Sequence, residues 1–320
     1  MKLIIQIPCF DEEEYLPTTL AELPRKIEGI DVVEWLVIDD GSIDKTVEVA
    51  HNYGVDHIIQ HRKNKGLAKA FKSGIDACIS LGADIIVNTD ADNQYPARYI
   101  TDLVRPILMG EGDIVIGDRQ TDKIHHFSFT KKILLKIGSW VVRKVSGTEI
   151  PDAPSGFRAY SRKAALRLNI TTDYTYTLET IIQAGKKNLD SVHIPIETNP
   201  VYRESRLIRS NWSYVFRSFI TIFHLFILYE PLRFFSFLAF PFIVFGATLW
   251  LRFLILLIAE QSLRGAYLQS VIVGGIGLLV GTLLWCLGLL GHLLTKNRYL
   301  LEEQTYLLKK KSDLSNVSPS

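Results

Sequence analysis

Short apolar runs alternate with longer amphipathic segments through about the first 200 residues of the chain. The runs are rich in Val, Ile and Leu, whereas the segments between them have apolar residues at helical spacing. Strands are predicted at residues 2–8, 34–38, 55–59, 84–89, 113–117 and 191–195, and helices at 12–27, 45–53, 66–81 and 96–109. This alternation predicts an α/β domain at 1–210, built on an open and mostly parallel sheet covered by helices.

The last third of the chain has a different pattern. Residues 234–251 carry no charged side chain, and residues 265–295 carry no acidic or basic residue apart from His292. The hydrocarbon core of a bilayer is about 30 Å thick and needs about 20 apolar residues of helix to cross it. We therefore predict two transmembrane helices, at 232–258 and 266–295, which makes the protein a multi-pass membrane protein.

Basic residues are distributed unevenly around these two spans. Five arginines lie between residues 203 and 233, and five basic residues lie between 296 and 311. The segment 260–267, which joins the spans, contains only one, Arg264. Because basic residues concentrate on the cytoplasmic side, the pattern places the α/β domain, both termini and a tail at 296–320 in the cytoplasm, at the plasma membrane.

The region 211–231 is aromatic and apolar but is interrupted by Arg217 and His224, which are seven residues apart and share one helical face. We interpret it as a juxtamembrane interfacial helix in the headgroup plane, with a third span as the alternative. Gly277 and Gly281 have the GxxxG spacing of a tightly packed helix pair. Their partner is a helix of this chain or of a second copy, and a homo-oligomer is expected.

Composition narrows the function classes. The 320 residues are 48% hydrophobic and carry 36 basic against 34 acidic side chains, a net charge of +2. The high hydrophobic content excludes intrinsic disorder. The small net charge gives no general positive field that would attract nucleic acid, so no nucleic-acid partner is expected. Three cysteines without a CxxC pair indicate neither a disulfide framework nor a zinc site, and they fit a reducing compartment.

Acidic residues follow three of the predicted strands. Glu12 lies after the first, Asp39 and Asp40 end the second, and Asp90 and Asp92 follow the fourth. The carboxyl ends of parallel strands form the ligand-binding edge of such sheets, and clustered carboxylates there need a cation. Oxygen ligands without His or Cys point to Mg²⁺ or Mn²⁺.

Each acidic cluster also has an ordinary explanation when taken alone. Asp39 and Asp40 with the following Gly-Ser could be a turn and a helix N-cap, and two acids two residues apart occur by chance. Neither GxGxxG nor GxxxxGK[ST] occurs in the domain, which disfavours dinucleotide and P-loop sites. The evidence for a cation site is that all three acidic clusters follow strands at the same predicted edge of the sheet.

Three motifs carry a resemblance to a known family. Residues 90–96 read D-A-D-N-Q-Y-P, residues 152–157 read D-A-P-S-G-F, and residues 202–206 read Y-R-E-S-R. They resemble the motifs of family-2 glycosyltransferases with a GT-A fold, and among them the polyisoprenyl-phosphate glycosyltransferases such as dolichol-phosphate mannose synthase. The similarity covers about the first 210 residues. The two spans resemble the branch that makes undecaprenyl-phosphate glucose.

The resemblance implies an enzyme that transfers a hexose from a nucleotide sugar to a polyprenyl phosphate in the bilayer. UDP-glucose with undecaprenyl phosphate is expected, and GDP-mannose or a catalytically silent nucleotide-sugar-binding scaffold are the alternatives. The implied donor-nucleotide residues are Pro8, Glu12, Asp39, Asp40 and Asp90. The implied metal ligands are Asp90, Asp92 and Gln94. The implied acceptor-phosphate residues are Arg119, Arg203, Ser205 and Arg206. The implied catalytic residues are Asp152, Asp92 and Arg203.

The charge of the acceptor bears on the role of Asp152, which the family treats as its catalytic acidic residue. A phosphate monoester has a second pKa of about 6, so the nucleophile is largely ionised at neutral pH. We therefore expect Asp152 to orient a substrate, with general-base catalysis as the minority alternative. Asp11 and Asp118 stand where the family usually has Asn and Ser, which leaves open how the first loop is hydrogen-bonded and what neutralises Arg119. Sugar or acceptor contacts are also expected around Thr171 to Glu179.

Overall fold

The computed structural model describes residues 1–120, 129–171, 176–200, 220, 223–224, 226–259 and 268–317. The chain divides into two compact units. The first consists of residues 1–219 and 302–320, and the second of residues 220–301. The predicted interfacial helix at 211–231 and the connection at 260–267 lie largely or wholly outside the described residues.

The first unit is built on a seven-stranded sheet. Its strands are β1 (Lys2–Cys9), β2 (Val32–Asp39), β3 (His57–Gln60), β4 (Ile85–Asn88), β5 (Ile114–Asp118), β6 (Arg158–Ser161) and β7 (Ser191–Pro195). They lie in the order β3-β2-β1-β4-β6-β5-β7. Every neighbouring pair is parallel except those of β6, which runs antiparallel to β4 and β5. The predicted α/β fold with a mostly parallel sheet is confirmed.

Helices cover the sheet between the strands. They are α1 (Leu16–Glu22), α2 (Thr46–Asn52), α3 (Leu67–Ser80), α4 (Ile100–Leu108), α5 (Phe129–Ser146), α6 (Arg162–Arg167) and α7 (Tyr176–Lys186). The first helix is shorter than the predicted 12–27. Its C-terminus comes before Pro24, and the residue preceding a proline is disfavoured in helical conformation.

The core explains why the loops at one edge carry the polar chemistry. Strands β1, β2 and β4 are almost wholly buried and consist mainly of Ile, Val and Leu, as expected of strands covered on both faces. Gln6 and Asn88 are polar exceptions, and they satisfy each other through a 2.9 Å hydrogen bond from Gln6 Nε2 to Asn88 Oδ1. The strands therefore contribute packing, and the ligand-binding side chains are left to the loops that follow them.

Two long helices, α8 (Pro231–Ala259) and α9 (Leu268–Val317), make up most of the C-terminal region. Residues 231–258 and 268–311 are long and apolar enough to cross a membrane by length and composition. The predicted boundary at residue 295 falls inside α9, which continues without a break to Val317. Within the first unit, Glu302 at this end of α9 pairs with Lys187 at 2.9 Å.

The glycines of the second unit pack one helix of this chain against the other. A Cβ on Gly281 would lie 2.5 Å from Ile243 Cγ1 of α8, and one on Gly277 would lie 3.3 Å from Phe242 O. The close approach that the GxxxG spacing predicts is thus made within the chain. These glycines consequently give no evidence for the expected homo-oligomer, which stays a prediction.

Candidate active site

The loops after β1 and β2 are tied together by hydrogen bonds that run in both directions. The backbone N–H of Asp11 donates to Ser42 Oγ at 2.9 Å, and Asp11 Oδ1 accepts from the N–H of Ile43 at 2.9 Å. The N–H of Glu12 donates to Thr46 Oγ1 at 2.8 Å. Asp11 has a φ of 53°, in the left-handed region that Asn and Asp tolerate best among residues with a Cβ. Asp11 therefore supplies both the conformation and the accepting oxygen that this loop uses.

Asp39 and Asp40 are both buried, but they have different partners. Asp40 accepts from the N–H groups of Lys65 and Gly66 at 3.0 and 2.7 Å, and His61 Nδ1 lies 2.6 Å from Asp40 Oδ1. Asp39 Oδ1 accepts from Ser42 N at 3.1 Å. These bonds assign Asp40 to holding the 61–66 loop, a role that the sequence did not suggest.

The predicted metal ligands follow β4 directly. Asp90, Asp92 and Gln94 are all partly exposed, and the N–H of Gln94 donates to Asp92 Oδ1 at 3.1 Å. In the described part of the chain, no group of three or more His, Cys, Asp or Glu side chains could hold a metal ion. The acidic clusters of the three strand ends therefore do not form one shared ligand set. Two carboxylates and an amide oxygen still fit Mg²⁺ or Mn²⁺, which keep positions for substrate phosphate.

Gly156, in the D-A-P-S-G-F loop, lies against the carboxylate of Asp90. A Cβ on Gly156 would lie 3.2 Å from Asp90 Oδ1 and 3.1 Å from the hydroxyl of Tyr176. Asn88 Nδ2 donates to the carbonyl of Gly156 and to Tyr176 Oη, each at 2.9 Å, and the N–H of Gly156 donates to Tyr95 Oη at 3.2 Å. A side chain at this position would force its neighbours to shift, so glycine allows the two motif loops to meet at residue 156 without displacement.

Burial keeps the two tyrosines of this junction neutral. It raises the pKa of Tyr95 to about 12 and, with the nearby charge of Asp90 as the second cause, raises the pKa of Tyr176 well above its ordinary value. Tyr176 also stacks on Phe71, with ring centroids 3.8 Å apart. Both phenols therefore act as fixed hydrogen-bonding groups that support the loop.

Asp152 forms a two-point ion pair with Arg119. Arg119 Nε donates to Asp152 Oδ2 at 2.7 Å, Nη2 donates to Oδ1 at 2.9 Å, and the backbone N–H of Arg119 donates to Oδ2 at 3.1 Å. Burial alone would lower the pKa of Arg119, but the charge of Asp152 outweighs it and raises that pKa. Asp152 thus neutralises Arg119. Asp118 instead accepts from the N–H of Gln120, at 2.9 Å.

Arg158 is a site residue that the sequence reasoning missed. It is fully buried at the start of β6 and donates to the carbonyls of Ala153, Ser155 and Thr177 and to Thr180 Oγ1, at 2.6 to 2.8 Å. These bonds fasten the loop that carries Asp152 to the first turn of α7. The signal was present, since Arg158 directly follows the S-G-F string. An arginine at a strand start is, however, usually an exposed residue.

Of the remaining predicted residues, the structure describes Pro8 and Glu179 but not the acceptor-phosphate residues near 203. Pro8 is buried in β1 opposite Ile38 of β2, at the level where the strands end. Glu179 is buried in α7 and accepts from Thr171 N at 3.1 Å and from Thr171 Oγ1 at 2.7 Å. Residues 172–175 and the predicted acceptor residues Arg203, Ser205 and Arg206 lie outside the described residues.

Comparison with known proteins places this geometry in a family. An uncharacterized protein of Methanocaldococcus jannaschii is 32% identical over 213 residues, 65% of this chain and 85% of that protein. The UDP-N-acetylglucosamine--dolichyl-phosphate N-acetylglucosaminyltransferase of Methanococcus voltae is 27% identical, covering 63% of this chain and 87% of that protein. The undecaprenyl-phosphate mannosyltransferase of Micrococcus luteus is 25% identical, covering 61% and 83%.

A solved structure and a family model agree with these relatives. Glucosyl-3-phosphoglycerate synthase of Mycobacterium tuberculosis, in complex with Mn²⁺, uridine diphosphate and glucosyl-3-phosphoglycerate, matches with a TM-score of 0.52 at 18% identity. The match covers 69% of this chain and 79% of that one, and it shows a shared GT-A-like fold. Residues 4–168, just over half of the chain, match the model of glycosyl transferase family 2. The chain belongs to glycosyl transferase family 2 and is a transferase.

Proposed function

We propose that the protein transfers a hexose from UDP-glucose to undecaprenyl phosphate, or a similar polyprenyl monophosphate, at the cytoplasmic face of the plasma membrane. The observation that carries the proposal is the junction at Gly156. There the carboxylate of Asp90 lies against Gly156, in the loop that carries Asp152, so closely that a Cβ on Gly156 would be 3.2 Å from Asp90 Oδ1. A donor-binding group and an acceptor-side group thereby lie within one site.

The proposed reaction is a single displacement. An oxygen of the acceptor phosphate forms a bond to the anomeric carbon, and the bond from that carbon to the diphosphate oxygen breaks. The bonding electrons leave with the nucleoside diphosphate, and the configuration inverts, which gives a β-linked product from an α-linked donor. The attacking oxygen is already ionised, so no group on the protein has to remove a proton.

Named residues then bind and orient the two substrates. Asp39, Glu12 and Pro8 would contact the base and ribose, with Asp40 holding the neighbouring loop. Asp90, Asp92 and Gln94 would hold Mg²⁺ or Mn²⁺, which offsets the negative charge of the diphosphate. Asp152 holds Arg119 in place through the ion pair. Nη1 of Arg119 is not used in that pair and would face the acceptor phosphate together with Arg203, Ser205 and Arg206.

The donor is the least constrained part of the proposal. One relative is named for transfer of N-acetylglucosamine from a UDP donor, another for transfer of mannose, and the structural neighbour is seen with uridine diphosphate. A uridine nucleotide is supported by two of these three. GDP-mannose is the alternative donor.

The test is direct synthesis. Purified protein in nanodiscs is supplied with Mg²⁺ or Mn²⁺, undecaprenyl phosphate and, in parallel, UDP-glucose, UDP-N-acetylglucosamine and GDP-mannose, and the lipids are analysed by mass spectrometry. The proposal predicts a hexosyl phospholipid with UDP-glucose. Product from GDP-mannose alone establishes the alternative donor, and absence of product with every donor and both metals contradicts the transferase proposal.

A further inference from the structure

The side chain of His61 lies between the end of β2 and helix α3 and has a partner on each side. His61 is buried directly after β3, with Nδ1 2.6 Å from Asp40 Oδ1 and Nε2 2.9 Å from Ser73 Oγ of α3. Because an ionised carboxylate can only accept, Nδ1 carries the ring proton and donates to Asp40. In the neutral ring Nε2 is then an acceptor, and the hydroxyl of Ser73 donates to it. The ring therefore connects α3 to the end of β2.

The backbone of His61 binds the neighbouring acidic residue as well. Its N–H donates to the carbonyl of Asp39 at 2.9 Å. One residue thus holds two consecutive positions, the main chain of Asp39 and the carboxylate of Asp40. Asp39 is assigned to the base and ribose of the donor, so the ligand named in this inference rests on the proposed function.

Asp40 extends this arrangement to the loop that precedes α3. Its carboxylate also accepts from the N–H groups of Lys65 and Gly66, at 3.0 and 2.7 Å. Gly41 has a φ of 80°, and a Cβ on it would lie 2.6 Å from the backbone carbonyl carbon of Lys63. The backbone of the loop therefore lies directly against the residue that follows Asp40.

The loop held in this way is strongly basic. Residues 62–65 read R-K-N-K, and all four are exposed. They follow the residue whose N–H binds the main chain of Asp39. Three basic side chains at the donor edge of the site complement the negative charge of a nucleoside diphosphate.

Helix α3 gives this arrangement a fixed support. Gly74 follows Ser73, and a Cβ on Gly74 would lie 2.8 Å from Ile38 Cδ1 of β2, so α3 packs closely on the strand at this point. The positions of Ser73 and Asp40 are thus set by the packing of their elements. A ring that is hydrogen-bonded to both has a single orientation.

We propose that His61 is a positioning residue for the donor nucleotide. Its imidazole fixes Asp40 against α3, and through Asp40 it fixes the basic loop at 62–65 beside Asp39. Since His61 acts through these residues, its loss weakens nucleotide binding more than it slows the transfer step.

Two replacements of His61 separate its hydrogen bond to Asp40 from its volume. The amide nitrogen of His61→Asn can take the place of Nδ1 and keep that bond. The amide of the longer His61→Gln reaches the place of Nε2 instead, and the bond to Asp40 is lost. His193→Gln is the matched control, at an exposed position of β7 on the opposite edge of the sheet.

The first measurement is nucleotide affinity. Full-length protein in nanodiscs is titrated with uridine diphosphate and, in parallel, with guanosine diphosphate, each with Mn²⁺, and calorimetry gives Kd. We expect His61→Gln to bind the diphosphate about tenfold more weakly and His61→Asn to stay within about twofold, since hydrogen bonds to charged groups are the stronger ones. His193→Gln should leave Kd unchanged. Where glycolipid forms, the KM for the donor should rise in His61→Gln while kcat changes little.

The second measurement is hydrogen exchange, which requires no ligand. In His61→Gln the segment 61–66 should exchange faster, because the N–H groups of Lys65 and Gly66 lose a fixed acceptor, while β4 keeps its protection. If His61→Gln does not fold, Ser73→Ala replaces it. That variant removes only the support from α3, and it should change exchange and diphosphate affinity in the same direction.

Equal diphosphate affinity in His61→Gln and the unsubstituted protein overturns the inference and leaves the proposed function as it stands. Equal weakening by His61→Asn and His61→Gln also overturns it, because it would show that the residue only fills space. Weakening by His61→Gln alone supports the positioning role even if no nucleotide sugar yields a glycolipid, in which case only the proposed function fails. Binding of neither diphosphate to the unsubstituted protein contradicts both.

Discussion

At the scale of single residues, the ion pair between Asp152 and Arg119 bears directly on mechanism. Both carboxylate oxygens of Asp152 accept from the guanidinium, and the carboxylate is 3% exposed. Taking a proton from a substrate would discharge this pair and leave the buried Arg119 without its counter-charge. The geometry therefore favours an orienting role for Asp152 over a general-base role.

Asp152→Asn tests that role. The amide keeps one accepting oxygen for Arg119 but loses the counter-charge, so we expect kcat to fall by about tenfold, less than the about 10²-fold to 10⁴-fold that loss of a general base costs. The dependence of kcat on pH should keep its shape between pH 6 and 9, measured as glycolipid formed at saturating donor. A loss of several orders of magnitude at every pH would restore the general-base alternative.

Gly156→Ala tests the junction of the two motif loops. The added methyl would lie 3.2 Å from Asp90 Oδ1 and displace that carboxylate, so we expect Mn²⁺ to bind about tenfold more weakly. Gly112→Ala is the matched control, because its methyl would meet Val192 Cγ2 at 3.0 Å, away from the site. Mn²⁺ titration compares the two variants. Equal affinities would show that the approach of Gly156 to Asp90 has no effect on metal binding.

At the scale of helices, the pair α8 and α9 offers a matched test of packing. A methyl on Gly281 would lie 2.5 Å from Ile243 Cγ1 and 3.1 Å from the backbone N of Ile243, whereas one on Gly275 would meet nothing closer than 3.9 Å. Overpacking of this kind costs about 1–3 kcal/mol. Gly281→Ala should therefore lower the midpoint of thermal unfolding in detergent, and Gly275→Ala should not. Equal midpoints would contradict the packing of α8 on α9.

The elements show which parts of the fold a sequence pattern can specify. Six of the seven strands were predicted, since each contains a short apolar run that lies between polar or amphipathic segments. Strand β6 was missed because it has four residues, begins with the charged Arg158 and ends with Ser161. Its assignment comes from tertiary contacts, namely the antiparallel pairing with β4 and β5 and the buried hydrogen bonds of Arg158.

The sequence predicts the residues of the candidate site but not how they are arranged. The motif strings pointed to Asp90, Asp92 and Asp152 by position along the chain alone. The pairing of Asp152 with Arg119 and the loop-holding role of Asp40 depend on distances between loops that are far apart in sequence. No local pattern encodes those distances.

At the scale of the whole molecule, the length of α9 limits its membrane-embedded part. Residues 268–311 would extend about 66 Å as a straight helix, twice the thickness of a bilayer core. Lys296 and Arg298 are the first basic residues along it, and Glu302 is paired with Lys187 of the first unit. The hydrocarbon-embedded part should therefore end near residue 295, with the rest of α9 in the cytoplasm, as the charge pattern predicts.

This topology makes opposite predictions for two positions. Ser262 lies in the short segment between the spans, which is predicted to be outside, and Thr18 lies in the catalytic domain, which is predicted to be inside. In a Cys286→Ser background, a membrane-impermeant maleimide added to intact cells should label Ser262→Cys and leave Thr18→Cys unlabelled. Permeabilised cells should show labelling of both, which controls for reactivity. Labelling of Thr18→Cys in intact cells would place the catalytic domain outside, where cytoplasmic nucleotide sugars cannot reach it, and would contradict the orientation and the proposed donor together.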